Sequence, residues 1–150
     1  MNDNTIDFVM NKARVLETVY ALSALRTYHR DAPRPLGRDE APALMKLMEA
    51  AAANVMAELL PHVADADIRG ADSLTLTLRV PRGVTVTPSQ QIVMGVKLEE
   101  AVALGVLELS FDAVCPVASA EASRGSIAAA RAVAAPLDIL PAGTRLAPGL

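Results

Sequence analysis

At 150 residues the chain is long enough for one domain with a real interior. Hydrophobic residues make up 52% of it, yet aromatics reach only 3% and tryptophan is absent, so alanine, valine and leucine must fill the core, which favours close helix packing. The formal charge of −3 gives no electrostatic case for a nucleic-acid-binding surface, and the one cysteine, Cys115, excludes an intrachain disulfide and cannot alone supply a structural zinc site.

The opening MNDNTIDF has no basic leader followed by an apolar run, so no secretion signal is expected. From about Thr5 to Arg30, Ile6, Val9, Met10, Ala13, Leu16, Tyr20 and Ala24 keep a helical period, with Asp7, Lys12, Arg14, Glu17 and Arg26 between them. This predicts an amphipathic helix with one wet side. Residues 31–37, DAPRPLG, break it. A second helix is expected from near Asp39, with Pro42 in its first turn, a buried stripe of Leu44, Leu47, Met48, Ala51, Val55 and Leu59, and a stop at Pro61. His62 to Asp72 is a polar, acidic loop by composition.

Ser73 to Val80 changes period. Leu74, Leu76, Leu78 and Val80 alternate with Thr75, Thr77 and Arg79, predicting a strand with one apolar and one polar face. Pro81-Arg82-Gly83 suits a turn, and Val84-Thr85-Val86 suits a short return strand, giving one hairpin over about 73–87. A lone hairpin is marginal unless helices cover it or another chain extends it. The open edge therefore hints at assembly.

Thr87 to Phe111 carries the strongest signal. Thr87, Pro88 and Gln90 form a T-x-x-Q capping box with proline in the first turn. Ile92, Val96, Ala103 and Val106 line one face of the helix, expected to pack on Leu44, Leu47, Ala51 and Val55. Val93, Leu98, Val102, Leu104, Leu107 and Leu109 spread round the rest, and a helix apolar nearly all round must be covered on several sides. Lys97, Glu99, Glu100 and Glu108 argue against a membrane span. Gly95 and Gly105 fit either simple tolerance or close approach of another helix, in the same subunit or the next. Pro116 then interrupts, Ala118 to Ala135 suits a helix of modest stability, and Pro136, Pro141 and Pro148 leave an apolar tail containing Leu137, Ile139 and Leu140. The expected class is mainly α (α+β): an antiparallel helical bundle of three to four helices with one small β-hairpin. A helical core domain would span 1–115, with the alanine-rich helix and tail over 116–150.

Candidate chemistry is sparse. Asp65-x-Asp67-x-Arg69-Gly70 opens like a calcium loop, but Arg69 stands where an oxygen ligand is needed and the twelfth position is Leu76. Adjacent Glu99 and Glu100 point about 100° apart on a helix and do not converge. Lys97 and Glu100 have ion-pair spacing. His29 and His62 sit at helix ends without a neighbouring ligand, Cys115 has no local histidine, and Ser126 in SRGSIA lacks the second glycine of a nucleophile elbow. No catalytic residue, metal ligand or cofactor is assigned, and an enzyme is not expected.

The order of the helix LMKLMEAAAANVMAELLP, the strand DSLTLTLRVP and the capped helix TPSQQIVMGVKLEEAVALGVLELSF resembles the small head–tail connector (adaptor) proteins of tailed phages, particularly those in prophages of gut Bacteroidales. The resemblance covers roughly residues 39–111. It departs in aromatics, of which only Phe111 remains near the helix end, and in the region after Cys115. It implies a structural ring at the virion neck, between portal and tail proteins, with DNA passing through its lumen. An acidic balance suits a channel that lets DNA slide. The expected partners are further copies of the chain, portal and tail proteins, with no sequence-specific nucleic acid and no membrane. The expected location is the cytoplasm during synthesis and then the virion neck. The alternative is a helical protein-interaction or small apolar-ligand-binding module of a bacterial regulatory system. Contacts are expected from 74–86, 95–109 and 137–150, with Thr75, Thr77, Arg79, Gly95, Glu99, Gly105, Leu137, Ile139 and Leu140 as candidate interface residues.

Overall fold

Ile6, Phe8 and Met10 alternate with Asp7 and Val9, and over these residues a period of two prevails over the helical one. In the computed structural model, which describes residues 4–28, 36–112 and 114–138, Asn4–Asn11 is strand β1. The helix expected from Thr5 begins only at Lys12, as α1 (Lys12–Tyr28), where the Asn11 side-chain oxygen accepts the Arg14 amide at 3.2 Å as a cap. The loop expected between His62 and Asp72 holds a second unforeseen strand, β2 (Val63–Asp67), and the alternating segment is β3 (Ser73–Val80).

The sheet order is β1-β3-β2, antiparallel throughout. β1 pairs with β3 from Asn4↔Val80 to Asn11↔Ser73, and β2 pairs from Val63↔Leu78 to Asp67↔Thr75 with a register shift between Val63 and Asp65. The hairpin is therefore β2–β3, not 73–87. Val84–Val86 forms no return strand. Pro81-Arg82-Gly83-Val84 closes a turn instead, with Val84 N–H donating to Pro81 O at 3.1 Å and Gly83 at φ 84°, a conformation that glycine adopts without strain. β3 is the central strand and has no open edge. Leu74, Leu76, Leu78 and Val80 are buried with Phe8 and Met10, while Thr75 and Thr77 are half-buried and Arg79 is exposed.

Helix α2 (Ala41–Glu58) has Pro42 in its first turn and buries Leu44, Met48, Ala51, Ala52 and Val55; Leu47 stays half-buried. Helix α3 (Pro88–Phe111) has both halves of its capping box, Gln90 N–H to the Thr87 hydroxyl at 3.1 Å and Thr87 N–H to the Gln90 side-chain oxygen at 2.8 Å. Leu98 and Ala101 to Leu107 are buried. The expected face was half right. Ala103 and Val106 are inaccessible, but Ile92 and Val96, one to two turns into the helix, are exposed.

Small residues set how closely α3 is approached. A Cβ on Gly95 would sit 3.6 Å from the Phe8 ring, and one on Gly105 would sit 3.1 Å from Ala51 of α2. Helix α4 (Pro116–Ala134) packs along α3 with Gly125 against Leu104, where a Cβ would come within 3.0 Å of Leu104 Cδ1. Two buried serines tie these helices together. Ser126 Oγ donates to Ala101 O at 2.7 Å and Ser119 Oγ to Glu108 O at 2.9 Å, so the two run antiparallel. The alanine-rich segment expected to be weakly held is thus part of the core, with Ala118, Ala122, Ala129 and Val133 buried, and the same buried cluster reaches Leu137. Over the described residues the fold is α+β, mainly helical, with four helices and a small three-stranded antiparallel sheet.

The two glycines of α3 should respond oppositely. Gly95→Ala adds an ordinary contact and gains helix propensity, so urea melts should show stabilisation of up to about 1 kcal/mol. Gly105→Val drives a branched side chain into Ala51 and should cost about 1–3 kcal/mol.

Candidate interaction surface

The structure disperses the residues expected at an interface. Thr75, Thr77 and Arg79 share the outer sheet face, where Thr77 lies between Asp7 and Asp65 in register and its hydroxyl donates to Asp7 Oδ1 at 2.6 Å. Gly95 and Gly105 face elements of the same chain. Glu99, 15% exposed, is held by Arg14 of α1, with Arg14 Nη2 at 3.1 Å and Nε donating at 3.2 Å. Leu137 is buried, and Ile139 and Leu140 lie outside the described residues.

The candidate chemical groups are also engaged. Lys97 meets Glu100 at 3.1 Å, one helical turn apart. Asp65 and Asp67 lie in β2 and accept neighbouring amides, of Ala66 at 2.9 Å and Arg69 at 3.2 Å, while the Arg69 guanidinium pairs with Glu49 at 3.0 Å. Among the described residues no three His, Cys, Asp or Glu gather as a metal site. His62 meets Asp138 at 2.8 Å, fastening the end of α2 to the turn after α4. With the two 76 positions apart in the chain, no local sequence signal could have paired them. His29 lies outside the described residues. Cys115 is half-buried before α4, its amide donating to Phe111 O at 2.7 Å. Among the described residues no helix is long and apolar enough to cross a membrane.

Among the described residues, two surfaces combine a groove with exposed aliphatic side chains. The first runs along the outer edge of β1, the side of that strand away from β3. There Val9 is 66% exposed on the outer sheet face, and on the inner side of the same edge Ile92 and Val96 in the first turns of α3 are 69% and 54% exposed. A groove of about 220 Å³ lies between strand and helix, floored by Phe8 and Gly95 and ending at the Arg14–Glu99 pair. Sequence reasoning missed this surface because residues 4–11 fit a helical stripe, which put Val9 inside. A period of two over Ile6, Phe8 and Met10 was the signal that could have found it.

The second surface is a groove of about 360 Å³ between the start of α2 and the end of α3, lined by Leu36, Leu44, Leu47, Leu109, Phe111 and Val114. Ser110 lies on its wall, and its hydroxyl is buried without a hydrogen-bond partner. Glu40 also lines the second groove but makes no hydrogen bond with Ser110, and both surfaces offer apolar contacts.

Comparison with known proteins adds no assignment: no family model, curated protein or solved structure matches the chain.

The exposure of Val96 reverses an expectation. Val96→Asp should shift the melting of the monomer by no more than about 0.5 kcal/mol, as surface changes do. Val106→Asp buries an unpaired charge and should cost several kcal/mol. Thermal melts of the two variants in dilute solution check the contrast.

Proposed function

We propose that the chain is a structural assembly protein, a subunit of the connector ring at the neck of a tailed phage or prophage. The observation that carries this reading is the run of exposed aliphatic side chains beside an unpaired strand edge, since a surface of that kind is suited to another macromolecule. The succession of α2, β3 and α3, on which the resemblance to connectors rests, supports it further. In this reading the helices form a bundle about α3, copies of the chain join in a ring, and portal and tail proteins bind its two sides. The outer sheet face carries Asp7, Asp65 and Asp67 against one cation, Arg79, and a surface of that net sign repels phosphates and lets packaged DNA slide.

A second reading is favoured by the groove between α2 and α3. Its volume suits a small apolar molecule, and Ser110 would supply one directing hydrogen bond, as in a ligand-binding module of a regulatory system.

Light scattering with and without a cognate portal protein separates the two. The connector reading expects the chain to join portal-sized particles. The same measurement on a chain ending at Asp138 asks whether 139–150 takes part; ending earlier would remove buried Leu137 and the partner of His62. A chain that ignores the portal in both forms overturns the connector reading and favours the binding module, for which native mass spectrometry should show a small apolar ligand retained by the protein.

A further inference from the structure

We infer that the outer edge of β1 and the first turns of α3 form a two-fold contact between two copies of this chain, the two β1 strands pairing antiparallel into one six-stranded sheet. The inference rests on the assembly reading only in taking this surface as a contact between proteins; it needs neither a ring nor a portal.

Three observations select a second copy as the occupant. The first is how the two sheet edges differ. β1 offers eight residues, with exposed Val9 among them and Ile92 and Val96 beside them, whereas β2 is five residues long, interrupted in register, and carries Asp65 and Asp67. Joining β1 to the β2 of a neighbour sets aliphatic groups against carboxylates. Joining the β1 face to itself sets aliphatic groups against their own kind, and a two-fold axis makes any such patch self-complementary.

The second is charge. Around this face Arg14 is paired with Glu99 and Lys97 with Glu100 within the same chain, so the surface presents no charge pattern that asks for an opposite one. Asp7 is the carboxylate on the strand itself, and it restricts the register. Residues opposed across a sheet must point to the same face. Pairing centred on Phe8 would set Asp7 across from Val9, the same mismatch as with β2, whereas pairing centred on Val9 sets Val9 across from its own copy and Asp7 across from Asn11. Pairing centred on Asp7 would oppose two carboxylates, which is destabilising.

The third is area. The strand edge, the exposed side chains of Val9, Ile92 and Val96, and the groove between them offer on the order of 600 Å² per copy, or roughly 1,200 Å² in all, which reaches the lower range of specific interfaces. Because α3 lies over the inner face of β1, where Gly95 meets Phe8, the two-fold places Ile92 and Val96 of both copies side by side on the inner face of the joined sheet, and Val9 of both copies on the outer face.

A two-fold contact closes after two copies and does not propagate. It therefore belongs to the free protein, and it covers the aliphatic surface until another partner displaces the second copy.

Light scattering of the full chain alone should give about twice the 15.7 kDa of one chain. Val96→Asp and Ile92→Asp should each raise the dissociation constant by on the order of 100-fold without loss of helical circular dichroism, since each puts a charge into the contact but leaves the monomer core untouched. Val9→Cys in a Cys115→Ser background should be linked into a covalent dimer by a short bismaleimide. A chain that stays monomeric at hundreds of micromolar overturns the inference. So does a dimer that survives both aspartates and is not linked through position 9, since its contact lies elsewhere. A dimer that ignores the portal upholds the inference and removes the connector reading; a strict monomer that joins portal particles does the reverse.

Discussion

The closeness with which α3 is approached governs the rest of this structure. A helix with so little polar surface in its second half has to be enclosed, and the chain has few large side chains with which to enclose it. It does so by bringing backbones near one another. Ala51 comes onto Gly105, Gly125 onto Leu104, and the hydroxyls of Ser119 and Ser126 bond carbonyls of α3 directly. These serines lie at the buried interface because their small polar groups find acceptors across it, which satisfies the donor and fixes the rotation of α4 about its axis. An alanine-rich helix gains little from burying its own side chains, so contacts of this kind matter more here than in a leucine-rich core.

The sheet meets a second constraint. β3 is apolar on one face only, and its backbone needs partners on both sides. β1 and β2 supply them from segments far apart in the chain, which moves the open edges of the sheet outward. At β2 the new edge is short and acidic, in keeping with the devices by which edges are kept from pairing. At β1 it is long, carries Val9, and runs beside the exposed start of α3. The two edges of one small sheet are thus finished differently. That asymmetry gives the functional reading its direction.

The groove between α2 and α3 differs from the β1 face in kind. It is concave, lined from two helices, and has a buried hydroxyl in its wall, which suits a small molecule more than a flat protein surface. The face at β1 combines a shallow groove with an extended backbone edge, and extended backbone is recognised by extended backbone.

The sequence by itself determined α2, β3 and α3. Pro42 and Pro61 bracket the second helix, strict alternation marks the strand, and Thr87 with Gln90 places the start of the third helix to the residue. The Lys97–Glu100 pair was also legible, because its spacing is local. Tertiary structure alone decided the rest. Ile6, Val9 and Met10 suit a helix while Ile6, Phe8 and Met10 suit a strand, and eight residues carry both patterns at once. Pairing with β3 resolves the ambiguity, because backbone hydrogen bonds along a whole strand outweigh the weak preference of so short a segment. The same holds for β2, whose alanines and aspartates carry no strand signal. It holds too for Ile92 and Val96: periodicity showed that α3 was apolar on many sides, but which side the neighbours left bare depended on where α2, α4 and the sheet came to rest.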